Sequence, residues 1–182
     1  MQGGADGAVL VQAERLTAEA FAPFGCVVEP GADGAPDPPS GAAAPLDLSQ
    51  GTPRFYLMRL APRGLTFDRI TFHAKVTQTL GAMGGRDWYM AVAAPGTETP
   101  SAATLRCFHI PGTVAVRMHK GTWHAGPYFS GPACDFFNLE LDDTNVVDHT
   151  NHHFDRPFRI LPPAEAHAAD GRGGPERAGP EL

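Results

Sequence analysis

Basic charge is scarce in this 182-residue chain, where 14 Lys and Arg stand against 20 Asp and Glu for a formal net charge of -6. A grip on a phosphate backbone needs clustered cations, so nucleic acid is not an expected partner. Cysteine is nearly absent as well. Cys26, Cys107 and Cys134 are odd in number, lack CxxC spacing and sit among apolar neighbours. That pattern argues against a disulfide framework or a thiolate zinc site and suits buried free thiols in a reducing compartment. No apolar run approaches the roughly 18 residues of a membrane span. The opening MQGGADGAVLVQAER also lacks a basic start followed by an apolar core. A soluble cytoplasmic protein is the expectation.

Long helical periodicity is missing too. With 21 Gly and 18 Pro the chain is full of turn signals, and the apolar residues between them alternate with period two. Segments 9–11, 24–28, 54–60, 72–80, 87–93, 105–110, 113–118 and 135–141 read as strands. Thr17 caps a single helical turn that Pro23 ends. The fold expected is all-β, an antiparallel barrel of the jelly-roll class with a short N-terminal helical turn. One domain over 1–155 is expected, with 30–45 as a long loop and 156–182, rich in Pro, Gly, Ala and charge, as a flexible tail.

The chemistry concentrates in VRMHKGTWHAGPY, residues 116–128. Lys120-Gly121 turns the chain between His119 and His124, which places His124 at a strand start, where a barrel presents a metal ligand or a general base. The same two histidines could instead be hydrogen-bonded structural groups. Glu140 and Asn138 share one face of DFFNLEL, opposite Asp135, Phe137, Leu139 and Leu141, and the second, more apolar face is expected to be the core. On RFYLMRL, Arg54 shares a face with Tyr56, so Arg54 rather than Arg59 is the expected carboxylate clamp. His73 and Gln78 fall on opposite faces of a regular strand. A turn or bulge between them is required if both are to reach one site. DHTNHH at 148–153 reads as a loop of turn hydrogen bonds or an interface, with a second metal site as the alternative, while His109 is structural and His167 lies in the tail.

The HxGxxH run at 119–124 resembles the second cupin motif, with His119 where proline usually stands. His73 and Gln78 resemble part of the first, with Gln78 in the glutamate position. A wider set resembles the ureidoglycolate lyase family, in its longer plant-like branch. It comprises Phe21 to Gly25, RFYLMRL, VTQTLGAMGGRDWYMAVA, GTWHAGP and NLELDDTNVVDHT.

This resemblance implies a cupin barrel, a homodimer, and cleavage of a small ureido or hydroxy acid to glyoxylate and urea within purine-nitrogen catabolism. It implies His124, His73, Glu140 and His119 as catalytic groups, and Arg54, Tyr56, Gln78, Trp88, Trp123 and Asn138 around a carboxylate substrate. A divalent metal, where one binds, would be held by His73, His124 and Gln78. Neutral Gln78 makes that a weak site. A metal-dependent cupin oxygenase or isomerase and a non-catalytic small-ligand barrel are the alternatives.

Overall fold

The structure is a computed structural model that describes residues 7–34 and 45–164. Its strands are β1 (Val9–Arg15), β2 (Gly25–Val28), β3 (Pro53–Leu60), β4 (Thr66–Phe72), β5 (Thr79–Ala82), β6 (Gly85–Ala93), β7 (Arg106–Gly112), β8 (Ala115–Met118), β9 (Trp123–Tyr128), β10 (Cys134–Leu141) and β11 (Thr150–Leu161). Two one-turn helices, α1 (Ala18–Phe21) and α2 (Thr144–Val147), complete it. The hydroxyl of Thr17 accepts from the Ala20 amide and starts α1 as the sequence suggests.

Six strands close a barrel in the order β1-β11-β4-β9-β6-β7, and five form a sheet in the order β2-β8-β5-β10-β3. The expectation of an all-β, largely antiparallel barrel is met, with one difference in detail. β1 runs parallel to both β11 and β7, while every other pairing is antiparallel.

The main apolar core packs Phe21, Phe24, Trp88, Met90, Phe108, Ile110, Phe129 and Phe136. A second cluster gathers Phe67, Ile70, Trp123, Tyr128, Phe158 and Ile160. Between β4 and β5 the chain leaves the extended state, so the continuous strand expected over 72–80 is replaced by a turn. That turn resolves the face problem of His73 and Gln78. The tail boundary at 156 is also corrected: β11 continues to Leu161, pairing Phe158 with Phe67 across a register shift after His153. The remainder of the expected tail, His167 included, and most of the expected 30–45 loop lie outside the described residues.

Gly25 shows how closely two strands approach. A Cβ there would stand 2.0 Å from the Arg117 carbonyl oxygen, a contact that backbone on both strands would have to relieve. Gly25→Ala is expected to cost about 2 kcal/mol, a fall of roughly 4–8 °C in the unfolding midpoint for a chain of this size. A thermal melt that overlays the wild type would contradict this packing.

Candidate active site

A cavity of about 610 Å³ opens between β3, β4, β9 and β10. Its inner wall carries His73, His124, Gln78, Glu140, Asn138 and Tyr56, with Thr71, Tyr128, Arg63 and Arg69 further along the same walls. His73 lies four positions after Arg69, about 13 Å of extended chain. Exposed Arg63 and Arg69 therefore mark the mouth and the histidines the interior.

Main-chain contacts bring the two histidines together. Gly121, at φ +77°, turns the chain, and its amide donates to the His73 carbonyl at 2.7 Å. The Asp148 carboxylate accepts from the Ala74 and Lys75 amides, each at 2.8 Å, and pins the turn after His73. The two imidazole centroids end 5.1 Å apart.

Tautomers follow from the partners. His73 Nδ1 meets the Asp148 carbonyl and His124 Nδ1 meets the Thr122 carbonyl. A carbonyl only accepts, so each ring carries its proton on Nδ1 and keeps a lone pair on Nε2. Burial first, and then the neighbouring His73, hold the His124 pKa down to about 3. The ring is neutral across the working pH range. The His149 ring, 5.5 Å from His73, is shifted down for the same leading reason, loss of solvation.

A stability trend follows with a definite sign. Between pH 6.5 and about 3 the unfolded chain protonates His124 while the folded one does not, so stability falls as pH is lowered through that window. His124→Gln should melt with a shallower pH dependence below pH 6.5. Parallel curves for the two proteins would rule this out.

The opposite wall is a hydrogen-bonded carboxylate cluster. Glu140 is fully buried and accepts from Gln78 Nε2 at 2.7 Å, the Tyr56 hydroxyl at 2.9 Å and Asn145 Nδ2 at 3.2 Å. Asn138 Nδ2 donates to the Tyr56 oxygen at 3.0 Å. Desolvation and Glu140 raise the Tyr56 pKa, which keeps it an O–H donor. The expectation that the Asp135, Phe137, Leu139 and Leu141 face of β10 is the core is reversed. Phe136, Asn138 and Glu140 point inward, and Phe137 and Leu139 lie on the outer face.

Four expected site residues stand elsewhere. His119 accepts at Nδ1 from Arg117 and donates from Nε2 to the Ala22 carbonyl, tying its turn to the chain between α1 and β2. Both nitrogens are committed to structure. Trp88 is fully buried in the core, edge-on to Phe136 at 5.4 Å. Trp123 donates to the Thr97 carbonyl and packs on Phe72. Arg54 is exposed, with its guanidinium 3.8 Å over the Tyr56 ring, outside the cavity wall. Arg59 also points out and pairs with Asp135.

The groups that sequence reasoning passes over are Arg63, Arg69, Tyr128 and Asn145, and His149, expected only in a loop or interface, joins them on the wall. His109 is structural as expected, facing Asp87 at 3.1 Å.

The donor set tests the metal expectation. His73 and His124 offer two neutral nitrogens and Gln78 one neutral oxygen, whereas both Glu140 oxygens are already engaged. Among the described residues, no three His, Cys, Asp or Glu side chains are grouped to hold a metal ion. The set does not make a complete divalent site.

Fold and wall thus define a β-barrel whose cavity is lined by imidazole, amide, phenol and carboxylate side chains. The profile of the ureidoglycolate lyase family matches residues 8–161, and the chain belongs to that family. It is a lyase. It is similar to the ureidoglycolate lyases of Burkholderia mallei strains NCTC 10229 and NCTC 10247, each 32% identical over 139 residues, 70% of this chain and 79% of the relative. A tryptophan-to-tyrosine variant of Bacillus subtilis oxalate decarboxylase overlaps at 14% identity and a TM-score of 0.37, over 68% of this chain and 37% of that one.

Proposed function

We propose that this lyase cleaves ureidoglycolate, or a closely related small ureido acid, to glyoxylate and urea. The observation that carries the reading is the pair of imidazoles 5.1 Å apart, each with Nδ1 tied to a carbonyl and Nε2 without a hydrogen-bond partner among the described residues. The substrate hydroxyl gives its proton to Nε2 of His124. Its oxygen closes the glyoxylate carbonyl as the carbon–nitrogen bond breaks, and the imidazole pair returns the proton to the departing urea nitrogen.

A bound carboxylate favours the transiently charged imidazolium that burial alone opposes. Arg63 and Arg69 are the clamp for that carboxylate, since neither has a carboxylate partner among the described residues. They take the role expected of Arg54. Purified protein with ureidoglycolate should release glyoxylate and urea in equal amounts. A rate no faster than the spontaneous one, with or without added divalent metal, sinks the proposal.

The functional unit is a homodimer formed through β3, an edge strand of the five-stranded sheet. Phe55 and Leu57 on its outer face are 68% and 56% exposed, and the Phe55 ring lies 6.0 Å from that of Phe137. An edge strand with so apolar a face is suited to a second copy of itself. The double change Phe55→Asp and Leu57→Asp is expected to give monomers by light scattering. A wild-type chain that is already monomeric overturns this assignment. The compartment is the cytoplasm, consistent with three unpaired cysteines.

A further inference from the structure

The Glu140 cluster fixes more than its own members. Its carboxylate only accepts, so Gln78 must turn its NH₂ towards Glu140 and its oxygen away. The Tyr56 hydroxyl spends its proton on Glu140, so it can only accept from Asn138. Asn138 must therefore also turn its NH₂ inward to the network and its oxygen away. Gln78 and Asn138 are 7% and 1% exposed, both belong to the cavity wall, and both amide oxygens are buried without a hydrogen-bond partner among the described residues. Two buried unpaired acceptors on one wall call for a ligand that brings donors.

We infer that Gln78 and Asn138 seat the substrate's ureido group through their amide oxygens, while Arg63 and Arg69 hold its carboxylate, so that the substrate enters in one direction only. This rests on the lyase reading and specifies it. A ureido group carries three N–H donors and a carboxylate carries none. The arginines stand at the cavity mouth, and the imidazoles and the amide wall lie across the interior from one another beyond them. The order along the substrate is carboxylate, hydroxyl-bearing carbon, ureido group. The bond to be broken then lies beside His124 and His73. A hydroxy acid without a ureido group leaves both amide oxygens unpaired and is disfavoured, as in any site built to hydrogen-bond a missing group.

The test is isothermal titration of the full chain with two ligands. N-carbamoylglycine has the ureido group and carboxylate but no hydroxyl to lose, and glycolate has the carboxylate and hydroxyl but no ureido group. Wild-type protein is expected to bind N-carbamoylglycine about 10-fold or more tighter. Asn138→Leu and Gln78→Met should each weaken N-carbamoylglycine by about 10-fold and leave glycolate within about 2-fold, whereas Arg69→Met should weaken both ligands.

Equal binding of the two ligands by wild type, or equal losses for both in the amide variants, overturns the assignment. Thermal melts check folding, and if one amide variant does not fold the other carries the comparison. Neither ligand undergoes the cleavage, so the result is separable from the lyase reading. This binding pattern without glyoxylate release would sink the lyase proposal and keep the subsite. Release without the pattern would sink the subsite alone.

Discussion

Replacing His124 by alanine is expected to lower glyoxylate release by about 10²- to 10⁴-fold, the range for loss of a positioned general base, with little change in the melting midpoint at neutral pH. The two halves of this result have different causes. The ring's hydrogen bond goes to the Thr122 carbonyl two residues away, so deleting it unpairs little that is distant in the fold. Its Nε2 is the proposed proton acceptor instead. The loss should fall on kcat more than on KM, because Arg63, Arg69 and the amide wall still hold the substrate.

His73→Ala should lose comparable activity and also lose stability. Its Nδ1 donates to the Asp148 carbonyl, and Asp148 in turn pins the Ala74 and Lys75 amides. A His124→Ala protein with more than about a tenth of wild-type kcat would remove His124 from the chemistry.

Part of the fold can be read directly from alternation, though β4 falls almost entirely between the expected strands 54–60 and 72–80. β3, β6 and β10 are framed by turn residues and carry the period-two pattern that a half-buried strand must carry. β11 escapes because Pro157 and a run of His, Asn, Asp and Arg look like a loop. Its pairing with β1 and β4 depends on partners far away in sequence.

Periodicity points to the wrong face of β10, since Phe137, Leu139 and Leu141 outweigh Phe136 in apolar surface. What decides it is the convergence on Glu140 of Gln78, Tyr56 and Asn145, three donors from separate segments. The arginines are hidden for a similar reason. Strand parity singles out Arg54, but the cavity mouth is shaped by the chain before and within β4, where Arg63 and Arg69 look like ordinary surface residues. His119 and His124 differ only in which side of the Gly121 turn they occupy, and Arg117 and Ala22 claim the first.

Glu140→Ala is expected to be the most destabilising single change in the cavity, by about 3–5 kcal/mol, because it strands several buried donors at once. For a chain of this size that is a fall of roughly 6–20 °C in the unfolding midpoint.

Glu140→Gln distinguishes the network's two tasks. The substituted amide's NH₂ can replace only one carboxylate oxygen, and the tolerable place is opposite Gln78, since Oε1 receives both Tyr56 and Asn145. Gln78 must then rotate its own amide to accept from that new NH₂, which turns the Gln78 NH₂ towards the side where its oxygen stood. The hydrogen bonds are conserved in number, so most of the stability returns. The wall now meets the substrate's N–H groups with a donor instead of an acceptor, so N-carbamoylglycine binding and lyase activity should stay low. Melting near wild type with activity well below it is the expected signature. Recovery of both in Glu140→Gln would mean that Gln78 does not touch the ureido group, and a Glu140→Ala protein that melts like wild type would mean that the carboxylate does not hold this wall together.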